Sequence, residues 1–239
     1  MATLVLTDVT TWVHDHDFTT DSNQLSLSVE VDAQDSTTFG GGGWRARKPG
    51  LRSVEAELGG FWDSPPDAAT FPNLGTADHA VTISPTGAEG AVAYAFAAGR
   101  FEYEQFGGEI GEMCPYALNL MGTDNVGLVR GQLAKAKGAA SATGPLGSAI
   151  NLGAGGTGKY VYATTHIFTA GTTVTIEVQS DDAQGFASPT TAATIGPLTA
   201  AGGTFMTRVD AAAITDTWWR LNISAITGTF TVAGALAVQ

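Results

Sequence analysis

His14-Asp15-His16-Asp17 is the one cluster in the sequence with the residue types of a metal site. On an extended strand His14 and His16 would share a face, so chelation is geometrically possible. Third and fourth ligands are not evident, and His79 and His166 are isolated in the sequence. The cluster therefore reads as a solvated polar surface, and no metal or other cofactor is expected. Nucleophilic catalysis needs a base and an orienting group beside the nucleophile. The Gly-x-Ser-x-Gly elbow is absent, and Cys114, in Glu112-Met113-Cys114-Pro115, has no local basic group to lower its pKa. Glu55 and Glu57 are two apart on a candidate strand, which makes them neighbouring surface groups rather than an acid and base across a cleft. Gly153 to Lys159 partly matches a phosphate loop, but Tyr160 stands where the hydroxyl residue is required. No catalytic residues are assigned, and the chain is not expected to be an enzyme.

The elements around these residues show a two-residue period. Leu25, Leu27, Val29 and Val31 alternate with Ser26, Ser28 and Glu30, the pattern of a half-buried strand. Val54, Ala56 and Leu58 alternate with Glu55 and Glu57 in the same way. Further strands are expected at 81–83, 91–97, 116–121 and 126–133. Residues 134–158 are rich in Gly, Ala, Ser and Thr and read as a connection. Strands resume at 160–168, 173–179, 192–198, 204–209, 218–224 and 229–238. The expected fold is all-β, with two sandwich or barrel-like domains at 1–133 and 159–239 joined by 134–158. Two long loops are expected in the first half, one from Asp32 to Arg52 and one from Trp62 to Ala80.

Charge is unevenly spread. Residues 1–120 hold 17 Asp/Glu and 5 Lys/Arg, a balance of −12, whereas residues 121–239 hold 6 of each. An acidic half cannot neutralise nucleic-acid phosphates, although it can line a passage that DNA crosses without sticking. A single cysteine excludes an internal disulfide and fits assembly in a reducing cytoplasm. Residues 1–6 lack a basic n-region and do not read as a signal peptide. No apolar run approaches the roughly 20 residues of a membrane helix.

Four of the five basic residues of the acidic half lie between Phe39 and Arg52. Arg45, Arg47, Lys48 and Arg52 accompany Phe39 and Trp44 beside the run Gly40 to Gly43. Aromatic rings with arginine are the usual material of an interface hot spot. The partner would be acidic, and this chain has acidic surface in excess, so self-association is the economical reading.

The stretch Thr37-Thr38-Phe39, Trp44-Arg45, Pro49-Gly50-Leu51 and Glu55-Ala56-Glu57-Leu58-Gly59-Gly60-Phe61-Trp62-Asp63 resembles the tail tube (major tail) proteins of siphophages. Gly107 to Glu112 and Val129-Arg130-Gly131 look like later parts of the same pattern, so the resemblance covers residues 1–133. It implies a β-sandwich subunit that closes into rings, which stack into a tube for DNA delivery. The long early loop would dock on the next ring, placing Phe39, Trp44, Arg45, Arg47, Lys48 and Arg52 at the inter-ring interface. An acidic lumen would be lined by Glu30, Glu55 and Glu57. The implied partners are further copies of the chain, a tape-measure protein and double-stranded DNA in the lumen, with no membrane. The implied location is the virion tail, assembled in the host cytoplasm. Two tube-like halves favour a pseudo-hexameric trimer over a hexamer. The alternative is a carbohydrate-binding or decoration module of a phage particle, supported by Trp218, Trp219 and aromatics expected to be exposed in the second half.

Overall fold

The computed structural model describes residues 7–39, 42, 44–206 and 208–239. The reading of residues 1–6, and those parts of the readings that fall on Gly40, Gly41, Gly43 and Thr207, lie outside the described residues. Thr10–Val13 (β1) and His16–Asp17 (β2) form a short hairpin, and Ser22–Asp35 (β3) and Arg47–Phe61 (β4) form a long one. A short helix, Ser64–Thr70 (α1), and a 3-10 turn at Phe71–Asn73 follow. Next come His79–Ser84 (β5), Val92–Gln105 (β6), Pro115–Gly122 (β7) and Val129–Ala140 (β8). The chain continues through Gly144–Asn151 (β9), Tyr160–Thr169 (β10), Thr173–Asp181 (β11) and Thr190–Leu198 (β12). Gly202–Phe205 (β13), Val209–Asp210 (β14), Trp218–Thr227 (β15) and Phe230–Val238 (β16) complete it. The fold is all-β.

β6 organises the larger sheet. Its first half pairs with β5 and β8, and its second half pairs with β7. A bulge between Arg100 and Glu102 lets the strand bend from one partner set to the other. Beyond β7 lie β4 and then β3 at the edge. Val54, Ala56 and Leu58 of β4 and Tyr116, Leu118 and Leu120 of β7 face inward against Val13, Val81, Ile83 and Phe96. This is the first core, and the two-residue period of β4 predicts its side of the contact.

The second core lies between β8, β16 and β10 of the larger sheet and a four-stranded sheet ordered β12-β11-β15-β9. Val174, Ile176 and Val178 alternate inward there, as expected, and meet Trp219, Leu221 and Val232. The expected connection at 134–158 is corrected. Residues through Ala140 continue β8, and Gly144–Asn151 is β9. β8 hydrogen-bonds β6 on one side and β16 on the other, so the sheet runs unbroken across position 133. Ala134, Leu146 and Ile150 are core residues, but the small residues around them mask the alternation.

The two packed regions meet along a polar seam. His14 occupies the β1–β2 turn with φ +59°. Its Nδ1 accepts from the Gly203 N–H at 3.0 Å. Buried His166 donates from Nδ1 to the His14 carbonyl at 2.8 Å, which leaves Nε2 to accept from Thr82 Oγ1 at 2.9 Å. Thr82 in turn meets Thr164 at 3.0 Å. Gly203 is required by proximity: a Cβ there would lie 2.8 Å from the His14 Cα.

Candidate functional site

The β3–β4 hairpin carries every residue expected at the inter-ring interface. The expected loop from Asp32 to Arg52 is shorter than its sequence suggests. β3 runs to Asp35, β4 starts at Arg47, and Asp35 pairs with Arg47. Only 36–46 remain as the tip. β7 stops alongside Glu55, so Arg47–Val54 pairs with β3 alone. Eight residues at ~3.3 Å each extend this two-stranded arm roughly 26 Å beyond the third strand.

The arm is exposed on both faces. Val29 and Val31 continue the inward period of Leu25 and Leu27, but they have left the core and are about half exposed. Trp44 is 83% exposed and Leu51 82%, and Phe39 is fully exposed. Arg45, Arg47, Lys48 and Arg52 are exposed, and none forms an ion pair among the described residues. The base of the tip is nevertheless fixed. Thr37 donates its N–H to Asp35 Oδ1 at 2.8 Å, and Ala46 donates to Thr37 Oγ1 at 2.9 Å. Hydrogen bonds from Thr37 hold the Asp35 carboxyl below its usual pKa. Phe39 and Trp44 therefore project from a clamped tip.

The expected lumen residues share one sheet face. Glu30, Glu55 and Glu57 alternate with the inward Val54, Ala56 and Leu58 series and its β3 partners. The face extends further than the three glutamates identified in the sequence. Glu57 lies beside Asn119, and Asn119 lies beside Glu102 of β6. Glu102 and Glu104 are exposed and line a hollow of about 220 Å³ with Gln24, Glu57 and Asn119. Five carboxylates thus line β3, β4 and β6, and the facing strand segments 24–30, 53–59, 102–104 and 117–121 contain no Lys or Arg. Two strand spacings separate Glu57 from Glu102, roughly 10 Å, about one Debye length at 0.1 M salt. Their fields therefore add. Glu102 and Glu104 lie beyond the strand expected at 91–97, and the bulge at Phe101 resets the period within β6, so extending that strand's alternation would have turned them inward.

The other singled-out residues have structural partners. His14 and His16 do not share a face, because the turn separates them, and His16 Nε2 contacts Asp21 at 2.7 Å. His79 and His166, isolated in the sequence, belong with His14 to the seam: the His14 and His79 rings are 4.3 Å apart. Burial, the nearby Arg100 charge and His14 push His79 down to about 4, and burial does the same to His166. No group of three or more metal-ligating side chains is found among the described residues. Arg100 is fully buried, and its Nε, Nη1 and Nη2 have no hydrogen-bond partner among the described residues. Burial lowers its pKa to about 10, which leaves it charged near neutrality. Trp219 is buried and donates Nε1–H to the Gly153 carbonyl at 3.0 Å, while Trp218 is half-buried. The aromatics expected to be exposed in the second half are corrected: among the described residues, those beyond residue 121 are buried or half-buried. Trp219 closes the second core, so its ring is not available for stacking on a sugar.

No family model and no curated protein matches the sequence. Among solved structures, the chain resembles one from the virion of a native gene transfer agent particle (TM-score 0.41, 14% identity, 51% of this chain and 95% of that one). It resembles one from the sheath-tube complex of the PVC extracellular contractile injection system in its extended state (0.42, 12%, 54% and 92%). The SPP1 Dit (gp 19.1) protein is matched over 95% of this chain and 98% of that one, with TM-score 0.38 and 10% identity. These scores lie below 0.5, and no assignment rests on them.

Proposed function

We propose that this chain is a structural subunit of a phage tail, and within that class a tail tube protein whose copies form stacked rings around a DNA channel. The observation that carries the reading is the β3–β4 arm. An isolated two-stranded ribbon is at best marginally stable in water. This one also exposes Val29, Val31, Phe39, Trp44 and Leu51. A surface so apolar at its tip, with four basic side chains at the tip and on its β4 side, calls for a partner. The motif resemblance falls on the same residues, from Thr37 to Asp63.

The acidic face supports the channel. DNA carries one negative charge per ~1.7 Å of axis, so a wall bearing Glu30, Glu55, Glu57, Glu102 and Glu104 repels it and lets it slide. Among the described residues β3 pairs only with β4, so its outer edge offers backbone groups for lateral contact within a ring. The tape-measure protein would occupy this channel before DNA. Ring order remains part of the proposal: three chains if both packed regions line the wall, six if the second region faces outward.

Negative-stain microscopy of the purified protein tests the reading. Rings or tubes with a stain-filled channel are expected. A monodisperse monomer at high concentration would contradict it.

A further inference from the structure

The arm and the β6–β7 connection leave opposite ends of one four-stranded sheet. At the far end from the arm, Phe61 pairs with Pro115, and residues 106–114 link β6 to β7. This end is apolar and exposed: Phe106 is 66% exposed, Met113 equally so, and Ile110 completely. Phe106 has φ +61°, an unfavourable region for a non-glycine residue, and its ring packs on Trp62 at 5.3 Å between centroids. Trp62 is itself fixed, donating Nε1–H to Asp67 at 3.2 Å. The backbone is thus held at some cost in a conformation that presents Phe106 outward.

The charges of the two ends are opposite. The tip and the β4 side of the arm, residues 36–54, carry Arg45, Arg47, Lys48 and Arg52 and no acid, whereas its β3 side carries Glu30, Asp32 and Asp35; the arm as a whole, residues 29–54, has a balance of +1, with its positive charge gathered at the tip and on β4. Residues 101–114 carry Glu102, Glu104, Glu109 and Glu112 and no base, a balance of −4. Neither set forms an ion pair among the described residues. The two surfaces cannot meet within one subunit, because β4 spans the 15 residues between them, roughly 50 Å of extended chain.

We infer that the 104–114 surface, with Phe61 beside it, receives the arm of a second copy of this chain. The inference rests on the stacking reading and names the surface that completes it. Phe39 and Trp44 of one copy pack against Phe106, Ile110 and Met113 of the next. Arg45, Arg47 and Lys48 meet Glu109 and Glu112. A contact between opposite ends of one strand axis is heterologous and repeats without closing along that axis. Stacking therefore follows from the subunit's own polarity.

Charge reversal tests this. Arg45→Glu with Arg47→Glu, and separately Glu109→Lys with Glu112→Lys, should each raise the critical concentration for assembly about tenfold or more, whereas the four changes together in one chain should restore it to within about threefold of wild type. Unassembled subunits of all three variants should melt together, which separates assembly from folding. If only the arm reversal blocks assembly, the receiving surface is elsewhere and stacking stands. If both reversals block but the combination does not rescue, the pairing is wrong. If neither blocks, the arm contact itself fails. A wild-type chain that stays monomeric overturns the stacking reading and this inference together. A photo-crosslinker replacing Trp44 gives an independent readout: in assembled wild-type background it should capture a peptide containing 104–114 of a second copy, and capture of another segment would overturn the assignment.

Discussion

Replacing Trp44 by alanine removes the largest exposed side chain of the arm tip without touching either core. A tryptophan carries roughly 200 Å² of surface, and at 83% exposure about 170 Å² is available to a partner. If docking covers half of it, the loss at ~25 cal/mol per Å² is about 2 kcal/mol, or roughly thirtyfold in each arm contact. Subunit stability should change by no more than about 0.5 kcal/mol, as for other surface substitutions. Sedimentation or light scattering across a concentration series gives the critical concentration, and thermal melting of the unassembled subunit gives the control. An increase of ten- to a hundredfold with an unchanged melt is expected. An unchanged critical concentration would refute the reasoning, because Trp44 would then remain exposed in the assembly.

Assembly should weaken on going from about 0.1 to 1 M NaCl, where the Debye length falls from ~10 to ~3 Å, and light scattering at fixed protein concentration reads this directly. Arg100→Met should raise the melting temperature, because a buried charge with no hydrogen-bond partner among the described residues is replaced by an apolar chain of similar length; replacing whole buried ion pairs by apolar side chains stabilises by about 1–4 kcal/mol. His79 and His166 have folded pKa values near 4, below the unfolded 6.5. Their depressed values mean that stability is fully present above pH 6.5 and is lost as pH falls towards 4. For buried His166 alone the loss approaches about 3 kcal/mol, and denaturant melts at pH 7.5, 5.5 and 4.5 would detect it. Leu58→Ala should cost about 2–5 kcal/mol by opening the first core, as measured by urea unfolding.

The alternating segments of the sequence were legible because one side of each strand meets a core. Val54, Ala56 and Leu58, and likewise Val174, Ile176 and Val178, are buried as their spacing predicts. The arm was legible in composition but not in conformation. Beyond Val29 the strand period continues with no core beneath it, and the segment from Asp32 to Arg52, with its run Gly40 to Gly43, reads as a loop. The second part of β8, from Ala134 to Ala140, and the whole of β9 were missed because Ala and Gly fill positions where two layers pass closely, which erases the apolar contrast that marks a strand. The histidine seam joins residues up to 152 positions apart, a proximity that no local spacing could reveal. Glu102 and Glu104 were visible as acids, but the bulge at Phe101 hid which face they take.

The central claim is a channel walled by the β3-β4-β7-β6 sheet and extended by the arm. Helical reconstruction of assembled particles by cryo-electron microscopy tests it most directly. The account predicts stacked rings with Glu55, Glu57, Glu102 and Glu104 facing the axial channel and Trp44 buried against the adjacent ring. Particles with those glutamates on the outer surface, or with Trp44 in solvent, would contradict it.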